Sequence, residues 1–271
     1  MPATSLVHPT AVIDGDVHLD EDVVIGPHCI LTGPVRIKSG TRLIGQNWVQ
    51  GRCEIGRGNV LYPGARIGGP PQDLNFDPAQ EDPGILVGDE NVFREGFTAH
   101  RGKTDEPTRI GDKNYFMSNT HVGHDVQISN HCTFATGVAL GGHVTIADRA
   151  IIGGNTAVGQ FVSVGRGAFL TGGYATSQSI PPWFTMTCTG TCGSMNVIGM
   201  RRNNMSQEDI ARRKWIFKLF YRMNLSLRQV KERLVEEQDD PIAREYLDFI
   251  SASPQPICHG FQRRNRGGGA D

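Results

Sequence analysis

The chain has 271 residues, and its 27 Lys and Arg nearly balance 28 Asp and Glu, so no general attraction to a polyanion is expected. Glycine is abundant at 34 residues and aromatic residues make up only 7%, which favours many tight turns over helix bundles. No stretch approaches the ~18 consecutive apolar residues of a membrane-spanning helix, and the first ten residues lack a signal-peptide pattern. The six cysteines form no zinc-type double pair, so we expect reduced, structural thiols in a cytoplasmic protein.

An apolar residue recurs at every sixth position in three long stretches. These positions are Val7, Ile13, Leu19, Ile25, Leu31, Ile37, Leu43, Val49, Ile55, Leu61 and Ile67; Val87, Phe93 and Ala99; and Ile110, Phe116, Val122, Ile128, Phe134, Leu140, Ile146, Ile152, Val158, Val164 and Leu170. A period of six fits neither an α-helix nor the alternation of an ordinary strand. It fits a short flat strand plus a corner, three of which close a triangular coil of 18 residues. The sequence therefore predicts a mainly β fold, a parallel β-helix of hexapeptide repeats, with coils stacked at the ~4.8 Å strand spacing.

The predicted β-helix covers residues 1–195 and is interrupted twice. Twenty residues separate Ile67 from Val87 where one repeat needs six, which indicates an insertion near 68–86. A second insertion falls near 100–109. Insertions in solenoids often gather on one binding face, although solvated loops without a function would give the same pattern.

The period stops near the Pro181-Pro182 pair, and the chain then takes on helical signals. These signals are N-caps at Ser206 and Ser226 and a third helix from about Pro241 to Ile250. They predict a small α-helical C-terminal domain over 196–255. The polar, glycine-rich end of the chain predicts a disordered tail over 256–271.

The 18-residue coil predicts which distant side chains are neighbours. Counting three repeats at a time places Ile67, Ala99, Val122, Leu140 and Val158 on one edge of the prism. Polar residues lie next to these stacked positions. His121 comes directly before Val122, and the others come within three residues after a stacked position: His100, His124, Asp125, His143 and Gln160. Histidines beside an aspartate suit proton transfer near neutral pH, and the side-chain-free Gly142 could offer its N–H to an oxyanion. The alternative is that these are ordinary polar corner residues.

Several motifs resemble one family, the bacterial UDP-N-acetylglucosamine O-acyltransferases of lipid A synthesis. The motifs are Ile67-Gly-Gly-Pro-Pro-Gln-Asp-Leu-Asn75, His100-Arg-Gly102, His121-Val-Gly-His-Asp125, Gly141-Gly-His143 and Pro181-Pro182. The resemblance covers residues 5 to about 250 and implies a left-handed β-helix, assembled as a homotrimer with active sites between subunits. It implies that an acyl group, usually 3-hydroxylated, passes from acyl carrier protein to the sugar 3-hydroxyl in the first step of lipid A biosynthesis. No metal or organic cofactor is implied.

The same resemblance assigns roles to individual residues. His124 would be the general base, Asp125 its orienting partner, and the Gly142 N–H the oxyanion donor. The residues expected to bind substrate are Asp73, His100, His121, His143 and Gln160 at the corner, Asn196 and Arg202 for the nucleotide, and Gly172 as a limit on acyl-chain length.

Four positions depart from the family pattern. Gly159 replaces a histidine, Asn75 a lysine, Ile198 a glutamate and Asn203 an arginine. The sequence therefore leaves open the acyl-chain length, the nucleotide contacts and the choice between O- and N-acylation.

The predicted helical domain is basic, with ten Lys and Arg against three Asp and Glu over 201–233. Such a surface would attract an acidic acyl carrier protein, although a solvated helix face would look similar. No nucleic-acid recognition motif accompanies it. Two other functions fit the same scaffold: a zinc enzyme of the γ-carbonic-anhydrase type with His121, His124 and His143 as ligands, and a non-catalytic solenoid that binds a sugar nucleotide.

Overall fold

The computed structural model describes residues 6–77 and 79–260, which form a parallel β-solenoid of about ten coils followed by four helices. This confirms the predicted fold class. Within the described ranges, no helix is both long enough and apolar enough to cross a membrane.

Three sheets form the faces of the solenoid, and each coil contributes one strand to each face. Face I consists of Leu6–Val7, Val24–Ile25, Arg42–Leu43, Val60–Leu61, Val92–Phe93, Tyr115–Phe116, Thr133–Phe134, Ile151–Ile152, Phe169–Leu170, Phe184–Cys188, Thr191–Met195 and His259–Gly260. Face II consists of Val12–Asp14, Ile30–Thr32, Trp48–Gln50, Arg66–Gly69, Thr98–His100, His121–Val122, Ala139–Leu140, Ala157–Val158 and Ala175–Thr176. Face III consists of Val17–Leu19, Val35–Ile37, Cys53–Ile55, Ile85–Val87, Thr108–Ile110, Gln127–Ile128, Thr145–Ile146 and Ser163–Val164.

The strand register confirms the 18-residue coil. Along face II the chain of Cα partners runs through Ile67, Ala99, Val122, Leu140 and Val158, the predicted edge. Each of these side chains is buried, as expected for the inward residue of a flat strand. On face I, the stacked rings of neighbouring coils fill the interior, with centroid separations of 5.2 Å for Phe93–Phe116 and 4.5 Å for Phe116–Phe134.

The outward side chains differ in character between the faces, because successive residues of a strand point to opposite sides. On face I they are mostly apolar: Leu6, Val24, Arg42, Val60, Val92, Tyr115, Thr133, Ile151 and Phe169. On face II they are mostly apolar or small: Val12, Ile30, Trp48, Arg66, Thr98, His121, Ala139, Ala157 and Ala175. On face III they are mostly polar: His18, Arg36, Glu54, Leu86, Arg109, Gln127, Thr145 and Ser163. Face III is therefore the face best suited to solvent.

Two of the four helices begin at the N-caps predicted from the sequence. The four are α1 (Val197–Arg202), α2 (Gln207–Tyr221), α3 (Leu227–Glu236) and α4 (Pro241–Ala252). The Ser206 side chain accepts from Asp209 N, and Ser226 forms a full capping box with Gln229, so both predicted N-caps are confirmed. The short α1 was not predicted.

The end of the solenoid departs from the six-residue period. The strand Phe184–Cys188 turns back as an antiparallel hairpin with Thr191–Met195, and His259–Gly260 pairs in parallel beside it. Cys192 and Cys258 form a disulfide there, so the expectation of reduced thiols is wrong for this pair. Of the predicted tail, 256–260 belong to this packed end, whereas 261–271 lie outside the described residues. The division into domains at 195/196 stays a prediction.

Candidate active site

The corner between faces II and III, here called the site corner, carries three stacked residues with left-handed backbone. Asp125, His143 and Phe161 occupy equivalent positions in successive coils, with φ of 60°, 61° and 64°. Few residues other than glycine adopt this conformation, and asparagine, aspartate and histidine do so more readily than most. The turn therefore brings Asp125, His143 and Phe161 from three coils into one column.

His124 and Asp125 form a buried pair. The Nδ1 atom of His124 lies 2.6 Å from Oδ2 of Asp125, and each residue is only 6% exposed. If Nδ1–H donates to the carboxylate, the Nε2 atom of His124 keeps its lone pair and is free to act as a base. The same Asp125 oxygen lies 3.6 Å from Nε2 of His143.

The second insertion holds the other oxygen of Asp125. Its Oδ1 accepts from Lys103 N at 2.9 Å, Thr104 N at 3.0 Å and Thr104 Oγ1 at 2.8 Å. Burial alone would raise the pKa of Asp125, but the hydrogen bonds from His124, Thr104 and Lys103 outweigh it and hold the pKa below its ordinary value. The carboxylate is therefore ionised at neutral pH and fixed at both oxygens.

His143 closes one side of this pair. Its ring stacks on Phe161 with centroids 4.5 Å apart and meets His124 edge-on at 5.3 Å. Burial lowers the pKa of His143 despite the nearby Asp125 charge, with further lowering from His124 and Lys103. The neutral form of this imidazole is favoured, which suits hydrogen bonding to a substrate.

Gly142 lies directly against His124. A Cβ atom built on Gly142 would sit 2.7 Å from Cε1 and 2.8 Å from Nε2 of His124, closer than such atoms can approach. Any larger residue at this position would therefore force the imidazole to move. In the described part of the chain the Gly142 N–H has no hydrogen-bond acceptor, which leaves it available to a ligand.

His100 and His121 form a second pair on the adjoining edge of face II. Their rings are 5.2 Å apart, with His100 Nδ1 2.7 Å from the carbonyl oxygen of Pro70 and His121 Nδ1 2.9 Å from Thr98 Oγ1. Burial, with a contribution from His100, lowers the pKa of His121 to about 4, and burial also lowers the pKa of His100. Both rings are therefore neutral at pH 7. His100 and Thr98 also line a pocket of about 300 Å³ between face II and the first insertion.

Asp73 reaches the site from the first insertion. Its Oδ2 lies 2.8 Å from Nζ of Lys103, and its Oδ1 accepts from Asn75 N at 2.7 Å. The hydrogen bond from Lys103 is the main reason that the pKa of Asp73 is lowered. Lys103 was not among the predicted residues. It supplies positive charge beside Asp73. The family pattern has a lysine nearby at position 75, where this chain has Asn75.

The remaining predicted residues lie elsewhere along the coils. Gln160 is near the site corner, since its backbone N would be 3.0 Å from a Cβ on Gly141. Gly172 lies beside Gly153, at the corner between faces I and II. One chain therefore does not bring Gly172 together with His124.

The two predicted nucleotide residues lie along the third corner, between faces III and I. Asn196 caps α1 and donates to the carbonyl oxygen of Gly167 on that corner. Arg202 is exposed in the last turn of α1, and the adjacent Asn203 accepts from Arg149 Nε at 2.7 Å. Within one chain, the structure does not bring these residues to the site corner.

One group among residues 6–77 and 79–260 has the spacing of a metal site. It comprises His124, Asp125 and His143, whose ligand atoms lie within 4.8 Å of one another. The three-histidine set considered from the sequence is not assembled, because His121 pairs with His100 and Thr98 instead. The arrangement of His124 with Asp125 and Gly142 is that of an oriented base beside a free amide.

Comparisons with known proteins identify one family of similar chains. Residues 180–258 match the sequence family described as UDP N-acetylglucosamine O-acyltransferase, Domain 2. The acyl-(acyl-carrier-protein)–UDP-N-acetylglucosamine O-acyltransferase of Thermodesulfovibrio yellowstonii is 36% identical over 257 residues, 93% of this chain and 98% of that protein. The enzyme of the same name from Stenotrophomonas maltophilia is 37% identical over 257 residues, 93% of this chain and 97% of that protein.

Solved structures give the same result. The UDP-N-acetylglucosamine acyltransferase of Francisella novicida superposes with a TM-score of 0.91 at 28% identity, covering 96% of this chain and 95% of that one. The enzyme from Campylobacter jejuni superposes with a TM-score of 0.86 at 28% identity, covering 93% of this chain and 99% of that one. The similarity spans both the solenoid and the helical end.

Proposed function

The chain belongs to the family of acyl-(acyl-carrier-protein)–UDP-N-acetylglucosamine O-acyltransferases, and from this premise we propose the reaction that it catalyses. The enzyme transfers an acyl group, usually 3-hydroxylated, from acyl carrier protein to the 3-position of UDP-N-acetylglucosamine, the first step of lipid A biosynthesis. The observation that carries this proposal is the buried His124–Asp125 pair beside the free N–H of Gly142. The proposal includes a cytoplasmic location.

The geometry supports direct transfer by general-base catalysis. Nε2 of His124 removes the proton from the sugar 3-hydroxyl as its oxygen attacks the thioester carbonyl carbon. The Gly142 N–H hydrogen-bonds the oxyanion that forms on the carbonyl oxygen. Asp125 stabilises the imidazolium, which then returns the proton to the thiolate of the carrier protein as the carbon–sulfur bond breaks.

The outward side chains support a homotrimer. Faces I and II carry apolar columns, whereas face III is polar, so two of the three faces are suited to contacts between copies. If face II of one subunit packs on face I of the next, three copies close into a ring with the corner between faces I and II at the axis.

This arrangement also explains the scattered predicted residues. The outer edge of face II is the site corner, and it would lie opposite the neighbour's corner between faces III and I. The neighbour's Asn196 and Arg202 would then approach the His124 of the first subunit. Gly172 would lie deeper in the same interface, towards the axis, where an acyl chain could be limited in length.

Acyl carrier protein is the proposed second partner. The basic surface is smaller in the structure than the sequence predicts, because two of its arginines are neutralised by acidic side chains. Arg212 pairs with Glu237 and Asp240. The buried Arg213 pairs with Glu245. Exposed basic residues spaced four apart form one stripe towards the end of α2: Lys214, Lys218 and the C-cap residue Arg222. This stripe is the surface best suited to an acidic carrier protein.

The experiment is an assay with acyl carrier protein thioesters of different lengths against UDP-N-acetylglucosamine and its 3-amino analogue. We expect transfer to the 3-position and at least a ~10²-fold loss of kcat/KM in His124→Ala, the scale of a general base. His18→Ala is the matched control, since His18 is an exposed histidine on the polar face III, in an early coil. Full activity in His124→Ala would contradict the mechanism, and no transfer by the native chain would contradict the function.

A further inference from the structure

Two adjacent residues of the second insertion contact both carboxylates of the site. The backbone N–H of Lys103 donates to Asp125, while its ammonium group pairs with Asp73. Thr104 donates to Asp125 through both its backbone N–H and its hydroxyl group.

The contacts at Asp125 act directly on the base. Among the described residues, all three donors to Oδ1 of Asp125 belong to Lys103 and Thr104. These bonds fix the plane of the carboxylate, and Oδ2 then points at Nδ1 of His124. The Asp125 N–H donates in turn to Thr108 Oγ1 at 2.8 Å, so the end of the insertion is fastened to the same residue.

The contact at Asp73 joins the two insertions. Lys103 and Asp73 are each 27% exposed in their side chains, so water screens the pair only in part. An ion pair of this exposure adds little to folding stability. Because the ion pair links the two insertions, its effect is to orient Asp73 rather than to stabilise the fold.

We propose that Lys103 and Thr104 are positioning residues of the transfer reaction. Thr104 holds Asp125 so that His124 presents Nε2 to the sugar hydroxyl, and Lys103 holds Asp73 in the orientation that receives the acceptor sugar. The inference rests on the proposed function. It assigns the second insertion a part in assembling the active site rather than the role of a solvated loop.

Thr104 is tested by two substitutions of nearly equal size. Thr104→Val removes the hydroxyl donor to a charged acceptor, and we expect kcat to fall about tenfold with the KM values unchanged. Thr104→Ser keeps the donor and should restore kcat to within about twofold of the native value. Thr145→Val, at an exposed threonine of face III, is the control for the loss of a hydroxyl group.

Two substitutions of Lys103 test whether the positive charge of its side chain is required. Lys103→Met keeps the backbone N–H and the length of the side chain but removes the ammonium group. We expect the KM for UDP-N-acetylglucosamine to rise about fivefold or more with a smaller change in kcat, and Lys103→Arg to recover most of the difference. Lys38→Met is the matched control, because Lys38 pairs with Glu54 several coils before the one that carries His124.

A readout without turnover separates this inference from the proposed function. The ¹⁵N chemical shifts of the His124 ring report which nitrogen carries the proton. In Thr104→Val we expect the Nδ1–H form to lose population, whatever substrate the enzyme uses. Unchanged His124 shifts and unchanged kcat in Thr104→Val, or an unchanged KM in Lys103→Met, would overturn the assignment for that residue. An inactive native chain would instead contradict the proposed function.

Discussion

Two corners of this solenoid carry the same kinds of residue but use them differently. At the site corner, Asp125 bonds to His124 and to the second insertion. At the corner between faces III and I, here called the ladder corner, the side-chain oxygens bond to the backbone of the preceding coil. Oδ1 of Asp148 accepts from Asn130 N, and Oδ1 of Asn130 accepts from Asp112 N.

The ladder corner shows that clustered polar residues do not by themselves make an active site. It also has a histidine with left-handed backbone, His131 with φ of 58°, flanked by Asp112 and Asp148 in the same region. His131 is exposed, however, and the carboxylates there are engaged with backbone amides. The insertion at the site corner supplies separate donors to Asp125, so the carboxylate can orient an imidazole instead.

The sharpest test of this difference is the glycine beside the base. Gly142→Ala would place a methyl group within about 3 Å of the His124 ring, so the ring must move and catalysis should fall at least ~10²-fold. Gly33→Ala, in an early coil, is the control for an added methyl group: its Cβ would meet no atom within 4 Å, and its φ of 75° predicts a loss of stability without a loss of activity. Both variants are compared by kcat/KM and by thermal unfolding. Equal activity in the two would contradict the placement of the base.

A smaller but clear difference is expected for one conservative change made at each corner. In Asp125→Asn the amide NH₂ group would face Nδ1 of His124, which favours the tautomer with the proton on Nε2 and removes the base. We expect activity to fall at least about tenfold with the fold retained. Asp148→Asn keeps an oxygen for Asn130 N–H, so activity and stability should change little, within about 0.5 kcal/mol. A loss of activity in Asp148→Asn as large as in Asp125→Asn would remove the distinction between the corners.

The sequence was sufficient to predict which residues share the site corner, because the stacking of one coil on the next depends only on the length of the repeat. Three six-residue units make one coil, so Val122 must lie beside Leu140, and the residues that follow them must share a corner. That is why His124 and His143 could be placed together without any knowledge of their contacts. Strand alternation could also have separated His121, which points outward from face II, from His124 in the turn.

The insertions and the chain end could not be predicted in the same way. Lys103 and Thr104 lie in a segment without a period, so their contacts with Asp73 and Asp125 follow from a loop path that no repeat specifies. The Cys192–Cys258 disulfide likewise depends on a hairpin and a final strand outside the repeat. The roles assigned to Gly172, Asn196 and Arg202 depend on a second subunit and remain predictions.

The histidines of face II give a prediction for stability rather than for rate. Burial lowers the pKa of folded His121 to about 4, whereas an unfolded histidine titrates near ~6.5. The unfolded chain therefore binds a proton first, so the free energy of unfolding should fall as the pH drops from ~6.5 to ~4. His121→Gln should flatten this dependence, and the exposed His131→Gln should follow the native curve. Urea denaturation at several pH values measures both, and an unchanged slope in His121→Gln would contradict the burial of this ring.

The smallest effect is expected from removal of metal ions. A zinc ion at the site corner would need at least three protein ligands in a catalytic site. Oδ1 of Asp125 already accepts three hydrogen bonds and Oδ2 is bonded to His124, which leaves two imidazoles, His124 and His143, as free donors. We therefore expect dialysis against a chelator to leave acyl transfer unchanged. Loss of activity on chelation, restored by stoichiometric zinc, would show that the site corner works as a metal centre and would replace the general-base mechanism.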